Sequence, residues 1–568
     1  MDSVRAYRKI RRKLRHQYFI NYETTSNNNK SVGDENNDLP LAPGPKSYPI
    51  IGSMHLLGQY EVPYQAFGEL AKTYGPIIKM DLGSVPSLIV NGHENIREIL
   101  FTKGTHFDSR PNFKRYHHLF SGDKENSLAF CNWSNLQKSR REMLRPHTFP
   151  TSFSRRFQEL DQIILNEIPE LINHFQPNTN GENVVNLKEV VLKSCANIFM
   201  DYFCTKKFTW SSPEFERMIH NYDEVFYEVN QGYAADFLPF LLPLHTQNFA
   251  KMAKCTHSIR EFVMENIIEE RFNEYDEHTT GIDYVDALIE SVKLNNSNNM
   301  DWETALFALE DIIGGHSAVG NFLIKVLTFL VQNPDAQAKM QQEIDECLRN
   351  KLNDTYIPNR TPEVDIFRSE HELDAYVQTD MEKLELETRN ETTDVNNLKQ
   401  TTCCDKQRET DLCNDRISIK DRNSMPYTEA VILEGIRLIA SPIVPHVANQ
   451  DSSVGGYKVP KDTLIFLNNY ELNMSEKLWD EPNAFKPERF IKNGKVQKPD
   501  YFLPFGGGKR SCMGYKMVQL IGFSILSNII QSYTLKPYHT VPKVPIGNLA
   551  LKPSIEINFT FEKRRTQN

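Results

Sequence analysis

Phe505-Gly506-Gly507-Gly508-Lys509-Arg510-Ser511-Cys512-Met513-Gly514 is the stretch on which the fold turns. Three successive glycines leave the backbone bare where something bulky must approach it. A cysteine follows, directly ahead of the apolar series Met517, Leu520, Ile521, Phe523, Ile525, Leu526 and Ile529. That spacing predicts a long helix beginning near Met513. Amides at a helix N-terminus point at the sulfur and favour its anionic form. Arg510, two residues before the cysteine, offers a fork of donors suited to a carboxylate. Phe505 stands where it can cover the sulfur and exclude water.

Together these parts suit a cysteinate bound axially to haem iron, with Arg510 on a haem propionate. The plainer alternative is a glycine-rich loop followed by a core cysteine. The segment resembles the haem-binding loop of the cytochrome P450 family, whose pattern is F-x-x-G-x-R-x-C-x-G. Phe505, Gly508, Arg510, Cys512 and Gly514 meet every specified position. The resemblance covers residues 40–350 and 415–560. It implies a mainly α fold with a small β region, in which haem b lies between two helices with Cys512 as the axial iron ligand. It also implies insertion of one oxygen atom from O2 into an apolar substrate, with electrons from NADPH delivered through a reductase. The thiolate donates electron density that favours O–O scission.

Glu434 and Arg437 are three apart on a predicted helix at 426–439 and share a face. Pro487-Glu488-Arg489-Phe490 supplies a further arginine. A carboxylate between two guanidiniums can be fully satisfied when buried. This resembles the family's E-x-x-R and P-E-R-F pair, a structural lock behind the haem loop. By the same resemblance His446, after Pro445, contacts a propionate, as do Trp133 and Arg140. The family's usual basic position, four after the tryptophan, is Gln137 here. Phe107-Asp108-Ser109-Arg110-Pro111 resembles the start of the loop that covers substrate. Asp311-Ile312-Ile313-Gly314-Gly315-His316-Ser317-Ala318 resembles the oxygen-activating helix segment, where Gly314 and Gly315 make room over the iron. The family's acid and threonine are replaced by Ser317 and Ala318, so the usual proton relay is in question. Ala318 has no hydroxyl to orient water. His316 or Ser317 is left to move protons; the alternative for His316 is a satisfied helix histidine turned from the haem.

Hydrophobic residues at 39% and charged residues at 24% of 568 are ordinary globular composition. The net charge of −9 argues against nucleic acid as a partner. Nine cysteines are too few for a disulfide scaffold of this length. Residues 1–15 are strongly basic without an apolar segment, which fits a mitochondrial presequence, a patch on anionic lipid, or a disordered tail. Residues 21–38 read as disordered, and the prolines of 39–45 open one catalytic domain spanning 39–560, with a tail at 561–568. Residues 350–415 read as a polar surface insertion, and their Cys403, Cys404 and Cys413 have only His371 nearby as a further metal ligand. Strands are expected at 77–82, 87–90, 457–459 and 464–467.

Pro445-His446-Val447-Ala448-Asn449-Gln450-Asp451, Asn468-Asn469-Tyr470-Glu471-Leu472-Asn473 and the Gly314–Ala318 departure resemble the insect branch of the family that makes ecdysteroid precursors. This implies a sterol substrate. It also implies NADPH-cytochrome P450 reductase, or an adrenodoxin-type ferredoxin in mitochondria, as partner. The expected place is the cytosolic face of the endoplasmic reticulum membrane, although no transmembrane anchor is visible in this sequence. Two other functions compete. One is a haem-thiolate isomerase or lyase that bypasses the O2 cycle, which Ala318 favours. The other is an inactive haem-binding relative.

Overall fold

The computed structural model describes residues 39–60, 62–175, 184–275, 281–293, 301–355, 416–540 and 543–564. The basic end, the polar run 21–38, His371, Cys403, Cys404 and Cys413 lie outside the described residues. The expected insertion begins later than its composition suggested, because the helix Pro334–Thr355 continues through residue 350.

The observed architecture is mainly α with small sheets, as expected. Five helices place the site: α1 (Asn135–Thr148), α2 (Trp302–Ile313), α3 (Gly315–Gln332), α4 (Pro426–Ile439) and α5 (Tyr515–Ser532). Their ends follow local chemistry. The Ser134 hydroxyl accepts the Gln137 amide at the start of α1, and Asp301 caps Thr304 at the start of α2. Pro426 opens α4 in the first turn, where its missing amide costs nothing. The cysteine-loop helix starts at Tyr515, two residues later than the apolar spacing alone suggested, because Gly514 is its N-cap.

Helices α3, α4 and α5 are buried on nearly every side. Such helices belong at the centre of a core, and these three pack on one another. By length and composition α2 and α3 together could cross a membrane, but 83% of their most apolar window is buried inside the protein.

Strands β1 (Ile77–Leu82) and β2 (Val85–Val90) form an antiparallel hairpin in the register Ile78↔Ile89. β3 (His446–Val447) and β4 (Leu464–Leu467) complete the sheet, with β4 parallel to β2 and antiparallel to β3. A parallel neighbour needs a long crossover, and here most of the helical body, including α1 to α4, lies between the two strands in sequence. The sheet therefore holds His446 beside the loop at Phe107–Arg110, and the Ser109 carbonyl accepts the Val447 amide at 2.9 Å.

Candidate active site

The Cys512 amide donates to the Phe505 carbonyl at 3.0 Å, which closes the loop on itself. Gly508 has φ +60°, and an added Cβ would strike the Leu100 carbonyl oxygen, so both conformation and space require glycine there. The Gly514 amide donates to Cys512 Sγ at 3.3 Å. The Phe505 ring packs against Tyr515 at 5.7 Å. Among the described residues Cys512 is the one exposed cysteine; Cys131, Cys195, Cys204, Cys255 and Cys347 are buried. Cys512 is open on one side, yet the protein packed around its sulfur pushes the thiol pKa up. The amides of Gly514 and Tyr515 and the Arg141 guanidinium pull it back without reversing the shift. The helix terminus alone therefore does not secure a thiolate. A metal cation on the open side would supply the missing charge.

Three guanidiniums surround the approach to that sulfur. Arg510 donates to the carbonyls of Asp108 (Nε, 2.9 Å) and Cys131 (Nη2, 2.8 Å), and Trp133 stacks beneath it at 5.4 Å. Lys509 lies over the same indole at 4.7 Å and pairs with Asp108. Arg110 donates through Nη1 to the carbonyls of Val444 (2.9 Å) and Pro445 (3.1 Å). Arg141 donates to the Ser511 carbonyl at 2.6 Å. Burial, reinforced by Arg510, lowers the Arg110 pKa to about 9 and the Arg141 pKa to about 10. Among the described residues none of the three guanidiniums is bonded to a carboxylate. Mutually repelling buried cations call for an anionic ligand, and the two propionates of haem fit that demand.

This cradle differs from the expected set. Arg140 turns away and donates to the Glu125 carbonyl at 2.9 Å, while its Nε is buried without a partner. Arg141 reaches the cysteine loop instead. The reason is that Trp133 precedes the N-cap Ser134, so a seven-residue helical count from Trp133 starts outside the helix. Gln137 is also turned inward, donating to the Leu128 carbonyl at 2.7 Å. Arg110 was expected only as part of a covering loop. His446 lies beside the cradle, with Nδ1 2.6 Å from the Phe107 carbonyl. A carbonyl only accepts, so Nδ1 carries the proton and Nε2 has none to offer a propionate. Burial and the neighbouring Arg110 hold this histidine well below its ordinary pKa.

On the other side, Asp311, Gly314, Gly315 and Ala318 form a stripe along α2 and α3, spaced 3, 1 and 3. These four are partly open, while Ile312, Ile313, His316, Ser317, Val319 and Gly320 are buried. That periodicity is one helical face, but the expected room at Gly314 and Gly315 is taken by aromatic rings: an added Cβ would meet Tyr222 at 3.1 Å and Phe199 at 2.9 Å. The helix breaks at Gly314. The Ser317 amide bonds back only three residues, to the Gly314 carbonyl at 3.1 Å, and His316 Nδ1 takes the Ile313 carbonyl left over, at 2.7 Å. The His316 ring lies 5.2 Å from Tyr222, and Ser317 Oγ is 3.4 Å from its Nε2. His316 thus repairs the break with its side chain.

Burial lowers the His316 pKa to about 4. Its neutral form belongs to the fold, so its contribution is complete above the ordinary histidine pKa of about 6.5 and is lost as pH falls from there toward 4. Buried Glu310 (about 8) and Asp311 (about 6) are raised by burial and act in the opposite direction. The comparison between variants is therefore the informative one. His316→Leu should lose up to about 3 kcal/mol of the pH dependence of unfolding free energy between pH 6.5 and 4. Denaturant melts across that range check this, and an unchanged slope refutes it.

Behind the loop, Arg437 grips Glu434 with two bonds of 2.8 Å, and both side chains are fully buried. Arg489 Nε adds a third at 3.2 Å and the Lys486 amide a fourth at 2.8 Å. Arg437 also donates to the carbonyls of Asn473 and Pro482. The lock expected of Glu434, Arg437 and Arg489 is present as a connected network.

A thiol loop at a helix start, a tripartite guanidinium cradle and a broken helix facing them define a haem-thiolate protein. The chain belongs to the cytochrome P450 family, which it matches over residues 42–357 and 405–561. It is 35% identical over 539 residues to Cytochrome P450 307a1 of Drosophila melanogaster, covering 90% of this chain and 87% of that protein. It is 25% identical over 510 residues to the steroid 17-alpha-hydroxylase/17,20 lyase of Ictalurus punctatus, covering 87% and 85%. It is 24% identical over 548 residues to Cytochrome P450 1A5 of Gallus gallus, covering 93% and 90%.

Proposed function

We propose that this cytochrome P450 is a monooxygenase that oxidises a sterol at an early step of ecdysteroid synthesis. The observation that carries the chemistry is the open Cys512 sulfur beside a cradle of Arg110, Arg141 and Arg510 to which no carboxylate is bonded among the described residues. Haem, once held there, supplies O2 activation with electrons from NADPH. Cys512 would ligate the iron and Arg110, Arg141 and Arg510 would neutralise the propionates, while Trp133 packs under Arg510 and Lys509. Gly314 and Gly315 let the Tyr222 and Phe199 rings pack directly on the helix at its break. The sterol assignment draws on steroid hydroxylases among the relatives and on the likeness of 445–451 and 468–473 to ecdysteroid-producing enzymes.

A membrane surface suits an apolar substrate. Tyr48, Ile50 and Ile51 are exposed, as are Phe240 and Leu244 on the short helix Pro239–His245. The turn at Gly83 joins the two groups, being bridged to Gly52 through Leu82 and packed against Phe237 and Leu238. This apolar patch favours peripheral contact with the endoplasmic reticulum membrane, with a reductase as electron donor.

The test is incubation of the purified haem protein with reductase, NADPH and 7-dehydrocholesterol, followed by product mass. A gain of one oxygen, dependent on O2, supports the reading. Ala318, which offers no hydroxyl on the open stripe, favours a second reading: redox-neutral rearrangement, which would give a product of unchanged mass without O2 or NADPH. Ser317, buried beside that face, carries a hydroxyl with His316 Nε2 as its acceptor. Ser317→Ala should therefore divert a larger share of NADPH electrons to peroxide. Wild-type coupling of NADPH to product would remove Ser317 from proton delivery.

A further inference from the structure

Asp311 sits at the far end of the open stripe, one helical turn from Gly314. Its carboxylate is fixed in orientation from the facing loop. Oδ2 accepts the Leu128 amide at 2.7 Å and the Ser127 hydroxyl at 3.1 Å. That hydroxyl is itself fixed, since Ser127 Oγ accepts the amides of Ala129 at 3.0 Å and Phe130 at 3.1 Å. Oδ1 has no hydrogen-bond partner among the described residues, and it is not among the buried polar atoms that lack one. One oxygen is thus locked to the protein and the other is left on the open face. Phe120, Phe130 and Phe307 pack on one another beside this part of α2, and the charged groups that act on Asp311 are the Arg140 and Arg260 guanidiniums, which favour its ionised form.

We propose that Asp311 Oδ1 is the acceptor for a hydroxyl group on the otherwise apolar substrate, and so sets its orientation over the reacting side. The inference rests on the sterol reading above and names how that sterol is held. A carboxylate immobilised by two donors costs little entropy to engage and accepts strongly from an alcohol, whereas a ketone at the same carbon presents a second acceptor and is repelled. Burial raises the Asp311 pKa to about 6, while the Leu128 amide and the Ser127 hydroxyl hold it down, so the group is mainly ionised at neutral pH. Glu310, the neighbouring acid, is engaged elsewhere: its Oε2 lies 3.1 Å from Arg260 Nε.

The experiment is equilibrium dialysis of the haem-loaded protein against 7-dehydrocholesterol and against the ketone of the same skeleton. Wild type should favour the alcohol by about 10–100-fold, the range for one hydrogen bond to a charged group. In Asp311→Asn the Leu128 amide must take the amide oxygen, which turns the Nδ2 donor to where Oδ1 now lies. The preference should then reverse toward the ketone. Equal binding of both sterols by wild type overturns the proposal without recourse to any variant. An equal loss for both sterols in Asp311→Asn also overturns it, because that is what a simple latch to Leu128 would produce. Failure of wild type to bind either sterol brings down the sterol reading and this proposal together.

Discussion

Cys512→Ala should yield a folded protein that no longer gives the red-shifted band of a reduced, carbon-monoxide-bound thiolate haem, and whose turnover falls to background. The folding half of this expectation follows from the residue's surroundings. Cys512 is exposed, its backbone amide rather than its sulfur closes the loop onto Phe505, and Gly508 fixes the turn independently. The side chain is therefore not part of the core, and its loss should cost little stability. The chemical half follows from the cysteines among the described residues, of which none but Cys512 is exposed. Cys131 is buried, with its thiol pKa raised by burial, and its carbonyl is committed to Arg510. Removing a partner that merely orients a metal ligand typically costs 10–100-fold; removing the ligand itself should exceed about 100-fold. Cys512→Ser is the sharper variant, because it keeps the size and the Gly514 amide contact while replacing a soft thiolate with a poorly acidic alcohol. Retention of the thiolate spectrum in either variant would mean that the sulfur of another residue is the ligand.

Arg141→Ala and Arg110→Ala lie one level further out and should weaken haem retention without changing the ligand signature. They also show how far the sequence could be read. The cysteine loop was legible because its parts are adjacent in the chain: the glycines, Arg510, Cys512 and the helix start are all local. Glu434 and Arg437 were legible because three-residue spacing puts two side chains on one helical face. The propionate cradle was not legible in full. Arg110 enters it because the sheet edge at His446–Val447 carries residues 107–110 to the site, a contact across more than three hundred positions. Arg141 replaced Arg140 because the position of the Ser134 cap, and so the phase of α1, depends on where the preceding loop delivers the chain. His316 was ambiguous for a similar reason. Only once the helix breaks at Gly314 does an unsatisfied Ile313 carbonyl exist for its ring to take. Asp311, Gly314, Gly315 and Ala318 keep ordinary helical spacing across the same break and so still share one face.

Arg437→Ala should be the most damaging substitution outside the cysteine loop, and its effect should be on folding. The side chain is fully buried and engages Glu434 bidentately, together with carbonyls from Asn473, Pro482 and Ala484. Truncation strands the Glu434 carboxylate in the interior and frees three buried acceptors at once. Breaking a buried pair in this way costs about 3–5 kcal/mol, against a total stability of about 5–15 kcal/mol for an ordinary domain. Arg489, whose Nε lies 3.1 Å from Glu434 Oε2, gives partial compensation, but its Nη groups are already committed to the carbonyls of Asp480 and Glu481. Glu434→Gln should be somewhat milder, since the amide oxygen keeps one bond to Arg437, but it leaves the buried guanidinium without its counter-charge and turns an amide NH2 toward a donor. An exposed pair supplies the contrast. Lys339 and Glu488 meet at 2.5 Å on the surface, and Lys339→Ala should cost about 0–1 kcal/mol. Soluble haem-containing yield and denaturant midpoint measure all three. The expected order of loss is Arg437→Ala, then Glu434→Gln, then Lys339→Ala. An Arg437→Ala protein that retains haem and melts with the wild type would show that the cysteine loop stands without its lock.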